Sequence, residues 1–103
     1  RCMQGHAACN LVPVVAANRI GVETVKPCEE NGGQSSSLKF YGSSFITDNT
    51  GDIIYQAGRD EEEVIVHKFD LDKLAYDRLS WGLFRDRRPE VYNKAISKEL
   101  IQP

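Results

Sequence analysis

The strongest nucleophiles the sequence offers are three thiols, Cys2, Cys9 and Cys28. A reactive thiolate needs a cationic neighbour, a general base or a helix N-terminus. Cys2 and Cys9 fall in a stretch that reads as the end of a helix, where the dipole opposes ionisation. Cys28 precedes Glu29 and Glu30, whose charges oppose it as well. None of the three is activated, so all are read as packing or surface residues and no residue is assigned a catalytic role. Cys2 and His6 share a helix face at i, i+4, with Cys9 one turn further. That is the outline of a metal site, but structural zinc wants four ligands at tight paired spacings, and these are missing. The packing reading is favoured, with no metal and no cofactor. An odd cysteine count fits poorly with a closed disulfide framework, and reduced thiols in a cytoplasmic protein are the simpler expectation.

The charged candidates are weighed in the same way. Asp60-Glu61-Glu62-Glu63 reads as a solvated turn before a metal or acid–base site. His67, on an expected strand, reads as a half-buried packing residue. Arg85-Asp86-Arg87-Arg88 lies beside Trp81 and Phe84. Planar arginine donors there suit pinning the chain to carboxylates or carbonyls of the core or of another subunit. Asn18-Arg19-Ile20-Gly21 closes an apolar run and opens a polar one. Two readings stand for it: a ligand site at the carboxyl end of a buried strand, or a strand end that satisfies its own loop backbone.

The elements that must position these groups follow from patterning. Residues 1–10 read as a helix ending near Asn10, with no capping residue ahead of it. Residues 11–18 are apolar without alternation, the pattern of a strand buried on both faces, with Pro13 near its start. Residues 21–39 are rich in polar residues, Gly and Ser, and predict a long loop, a lid or pocket wall. Residues 40–47 predict a strand, Asp48–Gly51 a turn and Ile53–Ala57 the returning strand of a hairpin. Residues 58–62 form a charged turn and Glu63–Phe69 alternates as a third strand. Asp70 or Asp72 suits the start of a helix through about Trp81. Pro89 suits the first turn of a last helix, residues 89–100, bearing Val91, Ala95, Ile96 and Leu100. The fold class is α+β, and 103 residues suit one domain.

Thirteen basic and 15 acidic residues leave a net charge of −2, which gives no electrostatic reason to expect nucleic acid or an anionic membrane as partner. No apolar run approaches the roughly 18 residues of a membrane span. The first residue is Arg1 and the single Met is Met3, which raises the expectation of a partial sequence.

Several stretches resemble the carbon–nitrogen hydrolases of the nitrilase superfamily, in their carbamoylputrescine branch. RCMQGHAACNLVPVVAANRIGVE is similar to the helix, strand and loop downstream of that family's nucleophile, FYGSSFITDNTGDI to its next hairpin, and EVIVHKFDLDKLAYDRLSWGLFRDRRPEVY to its terminal strand, helix and Arg-Arg-Pro-x-x-Tyr segment. The match covers nearly the whole chain in the right order. The resemblance implies that residues 1–103 are the C-terminal portion of one α-β-β-α sandwich domain. It also implies a Glu–Lys–Cys triad whose members all lie N-terminal to this segment in the family; no cysteine here has the nucleophile's Phe-Pro-Glu context, so no triad role falls on these residues. It implies a small carbamoyl amine as substrate and a homo-oligomer, with Asn18, Arg19 and Glu23 supporting the substrate pocket. The alternatives are a β-ureidopropionase-like or other amidase of the superfamily, and a non-catalytic α+β interaction module.

Overall fold

A computed structural model describes residues 1–97. The chain divides into two compact units, Arg1–Asp70 and a second that begins at Leu71.

The first unit opens with α1, Cys2–Asn10, which lacks a side-chain N-cap as its sequence predicts. The stop falls one residue later than Asn10. Leu11 takes the left-handed conformation (φ 53°) and closes the helix with its amide. For an L-residue with a Cβ this conformation costs on the order of 1–2 kcal/mol. The Leu11 side chain is 9% exposed, and burying it offsets that cost.

The strand expected over residues 11–18 shrinks to β1, Val15–Ala16, and Val15 is 68% exposed. It pairs with β4, Phe45–Thr47, on one side, and the burial on both faces that the sequence predicts is not met among the described residues, Ala16 being half-buried and Val15 exposed. β5, Ile53–Gln56, completes the expected hairpin and gives the sheet order β1-β4-β5, all antiparallel. The register slips between Ile46 and Thr47, so that Ile46 faces Tyr55 and Thr47 faces Ile53. This is a bulge that leaves Ile54 unmatched. The turn between β4 and β5 forms as expected. Asp48 accepts from Thr50 N, Thr50 Oγ1 and Asp52 N, and Gly51 holds φ 90°. Gly51 has a second reason to be glycine: a Cβ there would lie 2.7 Å from Gln4 O on α1. Gln4 Nε2 donates to Gly51 O, so helix and turn are bolted together at this point. The core lies here, made of Ala7, Leu11, Ile46, Thr47 and Asn49.

Residues 21–39 are not a loop. β2, Ile20–Val25, and β3, Ser36–Tyr41, form a six-pair antiparallel ribbon, and only the residues between them turn. The β-branched Val22, Thr24 and Val25 carry enough strand preference for cross-strand pairing to outweigh the polar composition. The expected strand over 40–47 is split between this ribbon and the sheet. Gly42 (φ 57°) and Ser43 (φ 59°) turn the chain out of one and into the other.

Glu63–Phe69 does not form a strand, because no neighbouring strand pairs with it among the described residues. His67 is accordingly exposed, with its ring 4.6 Å from Phe69, and is not the half-buried packing residue expected.

The second unit holds α2, Leu71–Trp81, and α3, Pro89–Ile96, with Pro89 in the first turn as predicted. Leu100 of the expected last helix lies outside the described residues. Asp72 in the first turn and Arg78 in the last complement the helix dipole of α2. Gly82 (φ 65°) ends it, and a Cβ there would collide with the Arg85 guanidinium. The arginine cluster is spent locally. Arg85 forks onto Asp86 at 2.9 and 3.2 Å and reaches Leu79 O. Arg87 lies 3.5 Å over the Phe84 ring, and Arg88 pairs with Glu90.

Candidate functional site

The sequence places its site candidates where β1 gives way to β2, and the structure shows what holds that junction. Asn18 Nδ2 donates to Gly42 O at 2.9 Å, and Asn18 Oδ1 accepts from Arg19 N. Asn18 N donates to Ser44 Oγ at 2.7 Å, and that hydroxyl returns a bond to Asn18 O. Gly42 N donates to Arg19 O. One asparagine thus ties the two chain crossings between sheet and ribbon, which is the strand-end reading of the Asn18-Arg19 pair. Gly42 is required at the crossing, since a Cβ would lie 2.7 Å from Ile20 Cγ2 and 2.8 Å from Gly58 O.

Beside the junction runs a groove of about 650 Å³, within the size range of small-molecule sites. One wall is the edge of β1 with Asn18, and the other is the chain from Glu61 to Ile65. Phe45 and Ile46 also line it, so the lining is largely apolar.

The three predicted pocket residues are not brought together. Asn18 lines the groove, while Arg19 and Glu23 do not. Residues directly paired across an antiparallel ladder share a face. Gly21 pairs with Phe40 and Glu23 with Leu38, which puts Glu23 on the Phe40 face. Arg19 joins that face, its guanidinium 4.2 Å from the Phe40 ring centroid and 3.4 Å from Glu23 Oε2. Ile20, on the opposite face, is the ribbon residue that reaches the groove. The Arg19–Glu23 pair is exposed at both ends, and such pairs contribute little to stability.

Two residues at the groove carry more than their sequence context discloses. Ser44 bridges Asn18 N and O, and nothing in its neighbourhood signals this. Glu63 belongs to the run read as a solvated turn, yet it has a defined task. Its carboxylate accepts from Gly58 N and from Tyr55 OH, both at 2.7 Å, and so clasps the 58–63 turn onto β5. The Gly58 amide, and then the Tyr55 hydroxyl, hold the Glu63 carboxyl below its ordinary pKa. Tyr55 is raised by the same hydrogen bond and by the carboxylate's charge. Gly58 ahead of an acidic run is the available sequence signal. Lys39 of β3 meets Asp60 at 3.0 Å, a second tie on this turn, here to the ribbon.

All three cysteines are free and exposed, and none lines the groove. Among the described residues no three His, Cys, Asp or Glu side chains come together as metal ligands. No described helix is long and apolar enough to cross a membrane.

Residues 1–78 match the carbon-nitrogen hydrolase family. Over all 103 residues the chain is 47% identical to N-carbamoylputrescine amidase of Solanum tuberosum, of which it covers 33%. It is 45% identical over 98 residues to citrullinase of Francisella tularensis, covering 32% of that protein. Among solved structures, a carbon–nitrogen hydrolase from Helicobacter pylori G27 matches 92% of the chain with a TM-score of 0.69 at 32% identity, and 31% of that structure is covered. The chain therefore spans about a third of the length of the relatives it matches.

Proposed function

The chain belongs to the carbon–nitrogen hydrolase family, and from that premise we propose that it forms part of an amidase that cleaves the carbamoyl C–N bond of N-carbamoylputrescine. Addition of water across that bond yields putrescine, ammonia and carbon dioxide. The observation that carries this reading is 47% identity, sustained over the whole chain, to a plant N-carbamoylputrescine amidase.

In this reading the triad chemistry belongs to other parts of the enzyme, and these residues build scaffold. Asn18 fixes the junction beside the groove through Gly42 and Ser44. Arg19 and Glu23 support the pocket indirectly, by bracing the ribbon through Phe40. We place the enzyme in the cytoplasm, consistent with three exposed unpaired thiols, and as a homo-oligomer, consistent with its exposed apolar side chains.

The likeness to citrullinase favours a second substrate reading, a ureido amino acid. Both substrates present the same terminal carbamoyl amine and differ in what the leaving amine carries. The test is ammonia release by the whole protein from N-carbamoylputrescine, citrulline and N-carbamoyl-β-alanine. The expected result is the highest kcat/KM for N-carbamoylputrescine. A preference for citrulline selects the second reading, and one for N-carbamoyl-β-alanine a ureidopropionase. The 103-residue chain alone is expected to release none above background.

A further inference from the structure

Residues 26–35 join β2 to β3 at the tip of the ribbon. All are exposed except Asn31, which is half-buried. Its side chain is the hub of the tip. Asn31 Oδ1 accepts from Cys28 N and from Gln34 N, both at 3.1 Å. Asn31 Nδ2 donates to Lys26 O at 3.0 Å and to Gln34 O at 3.3 Å. One amide therefore accepts twice and uses both of its donors, and it ties together the two arms of a turn that has no apolar burial of its own. Gly32 and Gly33 follow it with φ 69° and 75°, and a Cβ at either would meet nothing.

The same amide is chemically exposed. Asparagine is a labile residue, because the backbone nitrogen that follows it can attack its side-chain carbonyl. A side chain on that following residue hinders the approach, and glycine has none. Only Asn31 precedes a glycine: Asn10, Asn18, Asn49 and Asn93 are followed by Leu11, Arg19, Thr50 and Lys94. Two features of the turn act on the attack in opposite directions. The two N–H groups on Oδ1 sit where negative charge develops when the carbonyl is attacked, as the donors of an oxyanion hole do. Gly32 N donates to Glu29 O at 3.1 Å, which withholds the nucleophile. That bond lies in an exposed turn, and local opening of such segments costs little. It slows the attack without preventing it.

We propose that Asn31 is a site of spontaneous deamidation and that its conversion opens the tip of the ribbon. Gly32 N gives up its proton to solvent and bonds to Asn31 Cγ. The Cγ–Nδ2 bond breaks, and the amide nitrogen takes a proton from water and leaves as ammonia. The cyclic imide so formed takes up one water molecule. It opens to aspartate, or to isoaspartate, in which the backbone runs through Cγ. Water is the sole co-reactant. Either product replaces a double donor by a carboxylate. An oxygen in the place of Nδ2 faces the Lys26 and Gln34 carbonyls with no proton to share, and its charge adds to those of Glu29 and Glu30. The inference concerns the ribbon and not the reaction, so it stands or falls apart from the choice of substrate.

Incubation of the whole protein at mildly alkaline pH tests it, with peptide mass spectrometry and enzymatic methylation of isoaspartate as readouts. The reference is an unstructured peptide of residues 25–36. Asn31 is expected to convert at no less than about a tenth of the peptide's rate, since the turn opens cheaply. Slower conversion than that, or conversion spread over the other asparagines, overturns the proposal. Gly32→Ala is expected to suppress the conversion, and an unchanged rate in that variant overturns the route through the Gly32 nitrogen. Asn31→Asp reproduces one product and reads the structural consequence. In that variant the amides of Gly32 and Gly33, which donate to Glu29 O and Cys28 O, are expected to exchange on the order of tenfold faster than in the parent protein. Unchanged exchange there overturns the opening of the tip.

Discussion

Thr47 is fully buried, and its hydroxyl is placed to accept from Val14 N at 2.9 Å while its own amide donates to Val14 O. Thr47→Val keeps shape and strand preference but leaves the Val14 amide without an acceptor. The expected cost is about 1–3 kcal/mol, read as a lower urea midpoint of the whole protein, with Thr47→Ser retaining most of the stability. Glu63 makes a prediction about pH. Its folded pKa is depressed, so the stability it contributes is fully present above the unfolded value near 4.5 and is lost as pH falls through the lower folded value. Glu63→Ala removes that dependence. In the same variant Tyr55 is expected to titrate closer to the ordinary phenol value near 10, since its acceptor and the neighbouring charge are both gone. Phenolate absorbance against pH checks this, and an unchanged Tyr55 titration would show that the clasp does not form. Neither role was legible from residue type, because a threonine on a strand and a glutamate in an acidic run each have a more common, solvated use.

The ribbon and its root show where patterning succeeds and where it fails. The turn at Asp48–Gly51 and the start of α3 at Pro89 were legible, because each depends on local chemistry that the residues carry with them. The ribbon was obscured by its own composition. Its strands are largely exposed, so they lack the apolar alternation a buried face imposes, and the glycines and serines made the whole of 21–39 read as a loop. The break at residues 42–43 was half legible, since Gly42 permits a positive φ whereas Ser43 adopts one with no such signal. The site followed the same division. The family resemblance grouped Asn18, Arg19 and Glu23 as pocket support. The structure places Asn18 at the groove, while the ribbon sets Arg19 and Glu23 together on the Phe40 face. Two glycines of this region separate conformation from space. At Gly32 (φ 69°) a Cβ meets nothing, so Gly32→Ala costs only the left-handed backbone, on the order of 1–2 kcal/mol. At Gly42 the same backbone cost is joined by contact with the Gly58 carbonyl at 2.8 Å. Gly42→Ala is therefore expected to destabilise the whole protein clearly more than Gly32→Ala, measured as paired denaturation midpoints. Equal effects would mean that the ribbon root is free to shift.

At the scale of the molecule, the question is whether 103 residues can fold on what they bury. Among the described residues, five side chains make up the core around α1 and the β4–β5 turn, and two of them are polar. No residue of α2 or α3 is buried. Meanwhile Val15, Val64, Val66, Leu71 and Trp81 are each at least two-thirds exposed. Burying a side chain of this size contributes about 1.5–3 kcal/mol, whereas ordering each residue's backbone costs about 1–2 kcal/mol. A chain that leaves this much apolar surface uncovered has little to set against that entropy. Exposed apolar patches beside unpaired strand edges also favour association. The 103-residue chain alone is therefore expected to unfold broadly in urea, with light scattering that rises with concentration. The whole protein is expected to unfold cooperatively. A sharp two-state transition from a scattering-free monomer of the 103-residue chain would instead identify a self-sufficient α+β module.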